Sequence, residues 1–304
     1  MSPLLTSVIG VILDRIYGEP NRWHPLVGFG QLAGQLEARL NKEHCDSGEL
    51  KVRGVISVVL LILPFILIAY WISSFGLIGV LFDIVLVYLA IGSRSLQQHA
   101  MRVYDALSSH DINQARSHIA MLVSRDTSAL TEKEIAKATV ESVLENGCDA
   151  VFGALFWFVV AGAPGIILYR LANTLDAMWG YKTSRFHSFG WAAARLDDVL
   201  NYVPARLTAL TYSLLGKYKN AISCWKSQGN LWKSPNAGPV MAAGAGALDL
   251  QIGGEASYHG ELQQRPVLGR GSEPVADDIA RATRLVRRGI YLWLAIFVIL
   301  WSLV

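Results

Sequence analysis

The feature that most constrains this chain is a long run of apolar sequence without charge. Residues 54–82 contain no Asp, Glu, Lys or Arg, and after Asp83 the next charged residue is Arg94. A bilayer core is about 30 Å thick, and a helix needs roughly 20 apolar residues to cross it. Residues 54–92 are therefore long enough for two spans, with the turn at residues 73–76.

Two further uncharged stretches follow, at residues 151–169 and 289–304. A buried helix of a soluble protein explains one such stretch, but four together are typical of a multi-pass membrane protein. Only 17% of the residues are charged, against about 25% in soluble domains. The sequence therefore predicts an all-α, multi-pass helical membrane protein with a cytoplasmic helical insert and polar active-site loops. Residues 4–13 are too short to span comfortably and predict a retained, short or tilted helix.

The organisation expected along the chain is a single integral-membrane domain over residues 1–304. It divides by composition into an amphipathic N-terminal region, a transmembrane hairpin, a cytoplasmic helical insert, an apolar and catalytic region, and a region of loops before a C-terminal transmembrane helix. These are residues 1–53, 54–92, 93–149, 150–215 and 216–304, respectively.

The basic residues near the span ends indicate the orientation, because Lys and Arg favour the cytoplasmic side. Lys51 and Arg53 precede the hairpin and Arg94 and Arg102 follow it, which places both of its ends inside. The last helix is also expected to start inside, because four arginines cluster at its beginning: Arg281, Arg284, Arg287 and Arg288. The chain is thus expected in the plasma (inner) membrane. Its net charge of +3 is mild and its basic residues form no stripe, so no nucleic-acid partner is expected.

Local patterns predict two elements outside the spans. Thr131 and Glu134 have the spacing of a capping box, which starts a helix expected to run towards Gly147. Residues 258–268 are compatible with a short hairpin.

The first candidate for chemistry is on that helix, where Glu141 and Glu145 are four residues apart and Asp149 follows one turn later. Like charges at this spacing repel by a few tenths of a kcal/mol, whereas a bound Mg²⁺ would reverse the sign because it takes carboxylate oxygens. A solvated acidic face and a metal site are both open. The position of these acids, directly before an apolar stretch, favours the metal site.

Two more polar clusters follow the third apolar stretch. If helical, Tyr169, Asn173 and Asp176 share one face, and polar groups at membrane depth are usually functional. A polar helix end is the alternative.

Further along, Arg195 and Asp198 have the spacing of a salt bridge, which leaves Asp197 and Asn201 as the freer pair. An ordinary surface ion pair is the alternative there.

Two loops carry further polar groups. Residues 234–238 form a turn around Asn236, and the tract of small residues that follows is explained by close helix packing. Arg265 and Arg270 lie on a Gly/Pro loop, and guanidinium groups suit bidentate phosphate binding. A solvated basic loop is equally compatible with this pattern.

Several cofactor sites are not expected. The chain has no Walker loop and no dinucleotide fingerprint. Its seven histidines show no i, i+4 pair, and its three cysteines lack C-x-x-C spacing. No haem, zinc or nicotinamide is therefore expected.

Read in order, the polar clusters resemble the adenosylcobinamide-phosphate synthase family of cobalamin biosynthesis, the CobD/CbiB family. The matching segments cover nearly the whole chain. They are Leu13-Asp14-Arg15, Gly18-Glu19-Pro20, His24-Pro25, Ser124-Arg125-Asp126-Thr127, Val140-Glu141-Ser142, Glu145-Asn146, Asp149, Tyr169-Arg170, Asn173-Thr174-Leu175-Asp176, Gly180-Tyr181, Phe189-Gly190, Ala193-Ala194-Arg195-Leu196-Asp197-Asp198, Asn201, Pro204-Ala205-Arg206-Leu207-Thr208, Ser234-Pro235-Asn236-Ala237-Gly238 and Tyr258-His259-Gly260.

This resemblance implies an ATP- and Mg²⁺-dependent ligase that joins adenosylcobyric acid to (R)-1-amino-2-propanol O-phosphate, or a related amino alcohol, through an acyl phosphate. ATP enters as a substrate. The expected partners include the lipid bilayer. Binding to other membrane-associated cobalamin enzymes and assembly into a homo-oligomer are also compatible with the resemblance.

The implied roles fall into three sets. Catalytic roles go to Asp176, Asp197, Asp198 and Glu141. Metal-binding roles go to Glu141, Glu145, Asp176 and Asp197. Substrate- or phosphate-binding roles go to Arg125, Arg170, Asn173, Tyr181, Arg195, Asn201, Arg206, Asn236 and Arg265.

Two other functions remain open at this point: a non-catalytic AmpE-like membrane sensor, and a transporter. The ligase requires residues 170–198 to reach cytoplasmic ATP. A straight outward span over residues 151–169 would place them on the other side. We therefore expect either a re-entrant segment or an internal cavity that opens inward.

Overall fold

A computed structural model describes residues 2–20, 24–42, 45–123, 125–181, 183–258 and 261–303. Within them the chain is helical almost throughout. The helices are α1 (Pro3–Tyr17), α2 (Pro25–Leu40), α3 (Ser47–Ser73), α4 (Gly76–Ala90), α5 (Ser93–Ser108), α6 (Ile112–Ile119), α7 (Glu132–Gly147), α8 (Gly153–Trp179), α9 (Trp191–Leu215), α10 (Tyr218–Gln228), α11 (Ala237–Leu248) and α12 (Ala276–Ser302). A π-helical turn, Cys148–Phe152, joins α7 to α8, and a 3-10 turn, Gly229–Leu231, follows α10.

The described strands are short and antiparallel. They are β1 (Gln251–Gly253), β2 (Ala256–Tyr258), β3 (Glu261–Gln263) and β4 (Val267–Gly269). β1 pairs with β4 and β2 with β3, so the hairpin expected in this region is present. His259 and Gly260 of the matching segments, and Ser124, lie outside the described residues.

Four helical stretches are long and apolar enough to cross a membrane, which confirms the all-α multi-pass fold. They are Ser47–Ser73, Gly76–Ser108, Glu132–Trp179 and Ala276–Ser302. The turn predicted between the first two spans is where α3 ends and α4 begins. α3 and α4 leave many large apolar side chains exposed, among them Leu67, Trp71 and Leu77. A lipid environment accommodates such a surface, whereas water does not.

The chain divides into two compact units. Unit 1 comprises Met1–Gly92, Gly153–Asn201 and Phe297–Val304, and unit 2 comprises Ser93–Phe152 and Tyr202–Ile296. In unit 1, α1 packs on α4 and α8, and α2 and α3 pack on α8. In unit 2, α5, α6 and α7 pack together, and α11 lies against α7, α10 and the β1–β4 pair.

The start of α7 is as predicted. Thr131 accepts from the backbone of Glu134, and the Glu134 carboxylate accepts from the Thr131 N–H at 2.8 Å. The α-helical bonds end at Gly147, but the chain continues directly into the π-helical turn. Gly147 is in close contact with Tyr212, and a methyl group at position 147 would overlap the Tyr212 hydroxyl.

Helix α8 folds back on itself. It breaks at Gly162, whose φ of 62° and ψ of −151° favour glycine, and Pro164 follows. A methyl group on Gly153 would overlap the Tyr169 hydroxyl, although a straight helix would separate these residues by about 24 Å. Gly165 similarly abuts the carbonyl of Trp157. The third apolar stretch is therefore a helical hairpin, which is the geometry that a re-entrant segment requires, and the side of the membrane on which residues 170–198 lie stays a prediction.

Candidate functional site

A buried carboxylate on α7 organises the polar groups of unit 2. Glu141 is 7% exposed, and its Oε1 accepts the N–H of Gly253 at 2.7 Å. Arg265 donates to both carboxylate oxygens, at 3.0 and 3.1 Å, and its Nε donates to the carbonyl of Gly254 at 3.2 Å. This two-point pairing uses the planar fork of a guanidinium. It ties the loop after β1 to the middle of α7.

The ion pair of Glu141 and Arg265 is called the clamp below, and Arg125 lies beside it. Its side chain is 5% exposed, and its Nη2 is 4.0 Å from Oε2 of Glu141. Its Nε has no hydrogen-bond partner among the described residues. An unsatisfied buried donor costs about 1–3 kcal/mol, and more when it is charged. Arg125 therefore has a donor available for an acceptor from elsewhere.

The clamp and Arg125 line a cavity of about 260 Å³. Glu145 and Asn146 also line it, as does Trp232, whose ring lies 5.3 Å from the guanidinium carbon of Arg265. The wall thus combines guanidinium, carboxylate and amide groups with one indole. Such a cavity suits a small polar ligand.

A second pair in unit 2 joins two residues that the sequence suggested separately. Arg206 donates to the side-chain oxygen of Asn236 at 2.6 Å and to the carbonyl of Pro235 at 3.0 Å. Its guanidinium carbon lies 3.7 Å from the ring centre of Tyr202. Ser234 accepts the N–H of Ala237 at 3.1 Å, which stabilises the turn before α11. Arg206 is therefore held in one orientation at the start of that helix.

The two α8 and α9 clusters meet in unit 1. The hydroxyl of Tyr169, fully buried, donates to Oδ1 of Asn201 at 2.8 Å. Asn201 in turn donates to Oδ2 of Asp197 at 3.0 Å, and Asn173 donates to the other oxygen at 3.2 Å. Asp197 is 9% exposed. The predicted helical face of Tyr169 and Asn173 thus faces the predicted Asp197–Asn201 pair.

Burial raises the pKa of Asp197, the hydrogen bonds from Asn201 and Asn173 lower it, and the nearby Asp198 raises it, with a net upward shift. Burial also lowers the pKa of Arg206, which still leaves an arginine charged near neutral pH. Unit 1 therefore presents a buried carboxylate that binds a proton more readily than an ordinary aspartate.

The remaining candidates of unit 1 lie on α8, just after it, or on α9. Asp176 is half-buried on α8, and its carboxylate packs so closely on Gly180 that a methyl group there would overlap it. Arg195 and Asp198 form the predicted ion pair at 3.4 Å, with Arg195 largely exposed. Tyr181 is 48% exposed.

Arg170 is half-buried on α8. Its place in the chemistry stays a prediction, as do the places of Tyr181 and Arg195.

The predicted metal ligands belong to both units, Glu141 and Glu145 to unit 2 and Asp176 and Asp197 to unit 1. Across the ranges that the structure describes, no three His, Cys, Asp or Glu side chains gather as a metal site. Mg²⁺ held largely by substrate phosphates needs only one or two protein carboxylates, so the metal roles stay predictions. The geometry of Glu141, with three donors on its two oxygens, favours positioning the arginines over binding a cation.

Sequence reasoning missed two participants. Trp232 carries no motif of its own, and its position beside Arg265 depends on the fold. Gly253 carried a weak signal: it has a φ of 80° and pairs with β4, and a glycine pair in a short strand region indicates close backbone approach.

Comparison with known proteins identifies a family. The family described as CobD/Cbib protein matches residues 7–286. A cobalamin biosynthesis protein CobD of Stutzerimonas stutzeri is 56% identical over 296 residues, 97% of each chain. The protein of that name from Chromobacterium violaceum is 54% identical over 97% of this chain and 96% of its own. That of Mycobacterium tuberculosis is 37% identical over 92% and 90%, respectively. No solved structure matches the chain.

Proposed function

The chain belongs to the CobD/Cbib family of cobalamin biosynthesis proteins, and on that premise we propose that it is an ATP-dependent ligase. It joins the free carboxyl of adenosylcobyric acid to aminopropanol phosphate and yields adenosylcobinamide phosphate. The observation that carries the proposal is the extent of the match, since relatives of the same length align over 97% of both chains. A function of the whole relative therefore transfers more readily than one of a fragment.

The chemistry needs an activated carboxylate. A carboxylate oxygen of the corrinoid attacks the γ-phosphorus of ATP, the bond to the β-phosphate oxygen breaks, and ADP leaves. The amine nitrogen then attacks the acyl carbon, the acyl carbon–oxygen bond breaks, inorganic phosphate leaves, and an amine proton passes to a base. Phosphoryl transfer depends mainly on positioning and on charge stabilisation. Mg²⁺ would supply part of that charge stabilisation at the phosphates.

The two clusters contain the residue types that these steps require. In unit 2, the guanidiniums of Arg125, Arg206 and Arg265 suit phosphate or carboxylate oxygens. In unit 1, Asp197 has a raised pKa, which brings it nearer to the value that serves a general base at neutral pH. We assign Asp176 with it to handling of the amine proton or of Mg²⁺.

The direct test uses the purified protein in detergent with adenosylcobyric acid, aminopropanol phosphate and MgATP. We expect ADP release that depends on the corrinoid and equals the amount of amide formed. With ¹⁸O in the corrinoid carboxyl group, one labelled oxygen should appear in inorganic phosphate, because the acyl carbon–oxygen bond breaks in the second step. No amide product would overturn the ligase, and label in AMP would replace the acyl phosphate with an acyl adenylate.

The proposal also requires the α8–α9 region to face the cytoplasm. Ser184 and Ser109 are both exposed, Ser109 in the predicted cytoplasmic insert. In a background with Cys45→Ser, we expect a membrane-impermeant maleimide to label Ser184→Cys and Ser109→Cys in inverted vesicles but not in intact cells. Exclusive labelling of Ser184→Cys in intact cells would refute a cytoplasmic active site.

A further inference from the structure

The starting observation is an incompletely bonded cation in the unit 2 cavity. The guanidinium of Arg265 donates to both carboxylate oxygens of Glu141 and to the carbonyl of Gly254. Arg125 is 5% exposed, approaches Glu141 only to 4.0 Å, and has an Nε with no partner in the described parts of the chain. A buried guanidinium stays charged and cannot give up a proton to escape this cost. An acceptor from a ligand would satisfy it.

The charges around the cavity define the ligand further. Two arginines, Arg125 and Arg265, and two carboxylates, Glu141 and Glu145, line the same space. A simple anion would gain from Arg125 but would also meet both carboxylates. A ligand with an anionic group and an ammonium group satisfies both kinds of lining, with the anion at Arg125 and the ammonium near the Glu145 side.

The cavity is of the size that holds a small molecule. Its volume of about 260 Å³ is near the lower end of the range of about 300 to 1,000 Å³ for small-molecule pockets. It is partly open to solvent, so a larger ligand would enter it only in part. A three-carbon amino alcohol phosphate is small enough to lie within it.

We infer that the cavity lined by Arg125, Glu141, Glu145 and Arg265 is the subsite for a small zwitterionic phosphate. Arg125 binds the phosphate, and the Glu141–Arg265 clamp is a positioning device that holds the pocket's shape. Under the proposed function, on which this identification rests, the ligand is aminopropanol phosphate.

The test is calorimetric titration of the purified wild-type protein in detergent with three separate probes: aminopropanol phosphate, free aminopropanol and inorganic phosphate. We expect aminopropanol phosphate to bind at least about tenfold more tightly than either of the others. Arg125→Gln should weaken it about 10- to 100-fold, the usual effect of losing a charge-assisted contact, while affinity for free aminopropanol stays unchanged. Arg284→Gln, at an exposed arginine of α12 outside the cavity lining, is the matched control and should bind like the wild type.

Two outcomes overturn the inference: Arg125→Gln binds aminopropanol phosphate as the wild type does, or inorganic phosphate binds equally well. Thermal unfolding checks that each variant is folded. Should Arg125→Gln fail to fold, Arg125→Lys keeps the charge, removes the Nε donor and should still weaken binding severalfold.

Kinetics separate this inference from the proposed function. If Arg125→Gln raises the KM for ATP or the corrinoid and not that for aminopropanol phosphate, the subsite is wrong and the ligase stands. If binding follows the expected pattern and no amide forms, the subsite stands and the ligase is wrong.

Discussion

Replacing Glu141 by Gln would remove the counter-charge of Arg265 while changing almost no volume. The amide oxygen of Gln can still accept the N–H of Gly253, but its NH₂ group would face a guanidinium N–H that now donates to a carboxylate oxygen at 3.0 Å. Both partners are about nine-tenths buried. Breaking a buried pair from one side costs about 3–5 kcal/mol, because the other charge stays buried.

A double-mutant cycle separates the pair from the two residues. Arg265→Met leaves the buried Glu141 carboxylate without its counter-charge and should also destabilise the protein by about 3–5 kcal/mol. In Glu141→Gln with Arg265→Met both charges are gone, the amide oxygen still accepts the Gly253 N–H, and the main loss is the buried, unpaired NH₂ group of Gln, worth about 1–3 kcal/mol. The double variant should therefore be more stable than the sum of the single effects by at least about 2 kcal/mol.

Thermal unfolding in detergent measures the effect. At about 2–4 °C per kcal/mol for a chain of this size class, Glu141→Gln should lower the Tm by about 6–20 °C. The matched control is Glu49→Gln, which breaks the surface Glu49–Arg53 pair and should change stability by less than about 1 kcal/mol. An unchanged Tm in Glu141→Gln, or strictly additive effects in the cycle, would refute the clamp.

Three other predictions follow from unit 1. Asp176→Asn should abolish amide formation while the Tm in detergent stays near the wild-type value; undiminished turnover would contradict the role of this carboxylate. Asn201→Ala removes a hydrogen bond that lowers the pKa of Asp197, so protonated Asp197 should persist to higher pH. The acid limb of the kcat/KM profile should therefore shift to higher pH. A shift to lower pH would exclude an ionised Asp197 in turnover. Gly153→Ala should lower the Tm by disrupting the α8 hairpin, whereas Gly34→Ala, with open space at its Cβ, should not.

Contacts between residues close in sequence were predictable, because helix geometry alone decides them. The capping box at Thr131 and Glu134 forms as expected, and so does the ion pair between Arg195 and Asp198. Both need only three-residue spacing and a helix. The apolar stretches were predictable for a similar reason, since length and composition suffice to identify a span.

Contacts between distant residues were not predictable in this way. Glu141 and Arg265 were each singled out, but 124 positions separate them, and no local rule pairs a helix with a loop after a strand. The same holds for Arg206 and Asn236, whose pairing depends on how α9 meets the turn before α11. Residue types therefore indicated the candidate side chains, and the fold supplied their partners.

The hairpin of α8 shows how a local signal acquires functional meaning only with the fold. Gly162 and Pro164 within an apolar stretch indicate a helix break, but a break alone does not distinguish a kinked span from a segment that turns back. The contact between Gly153 and Tyr169 decides for the reversal. The hairpin brings Tyr169 back to the start of α8. The proposed ligase requires such a reversal, because ATP would have to reach Asn173 and the residues after it from the cytoplasm.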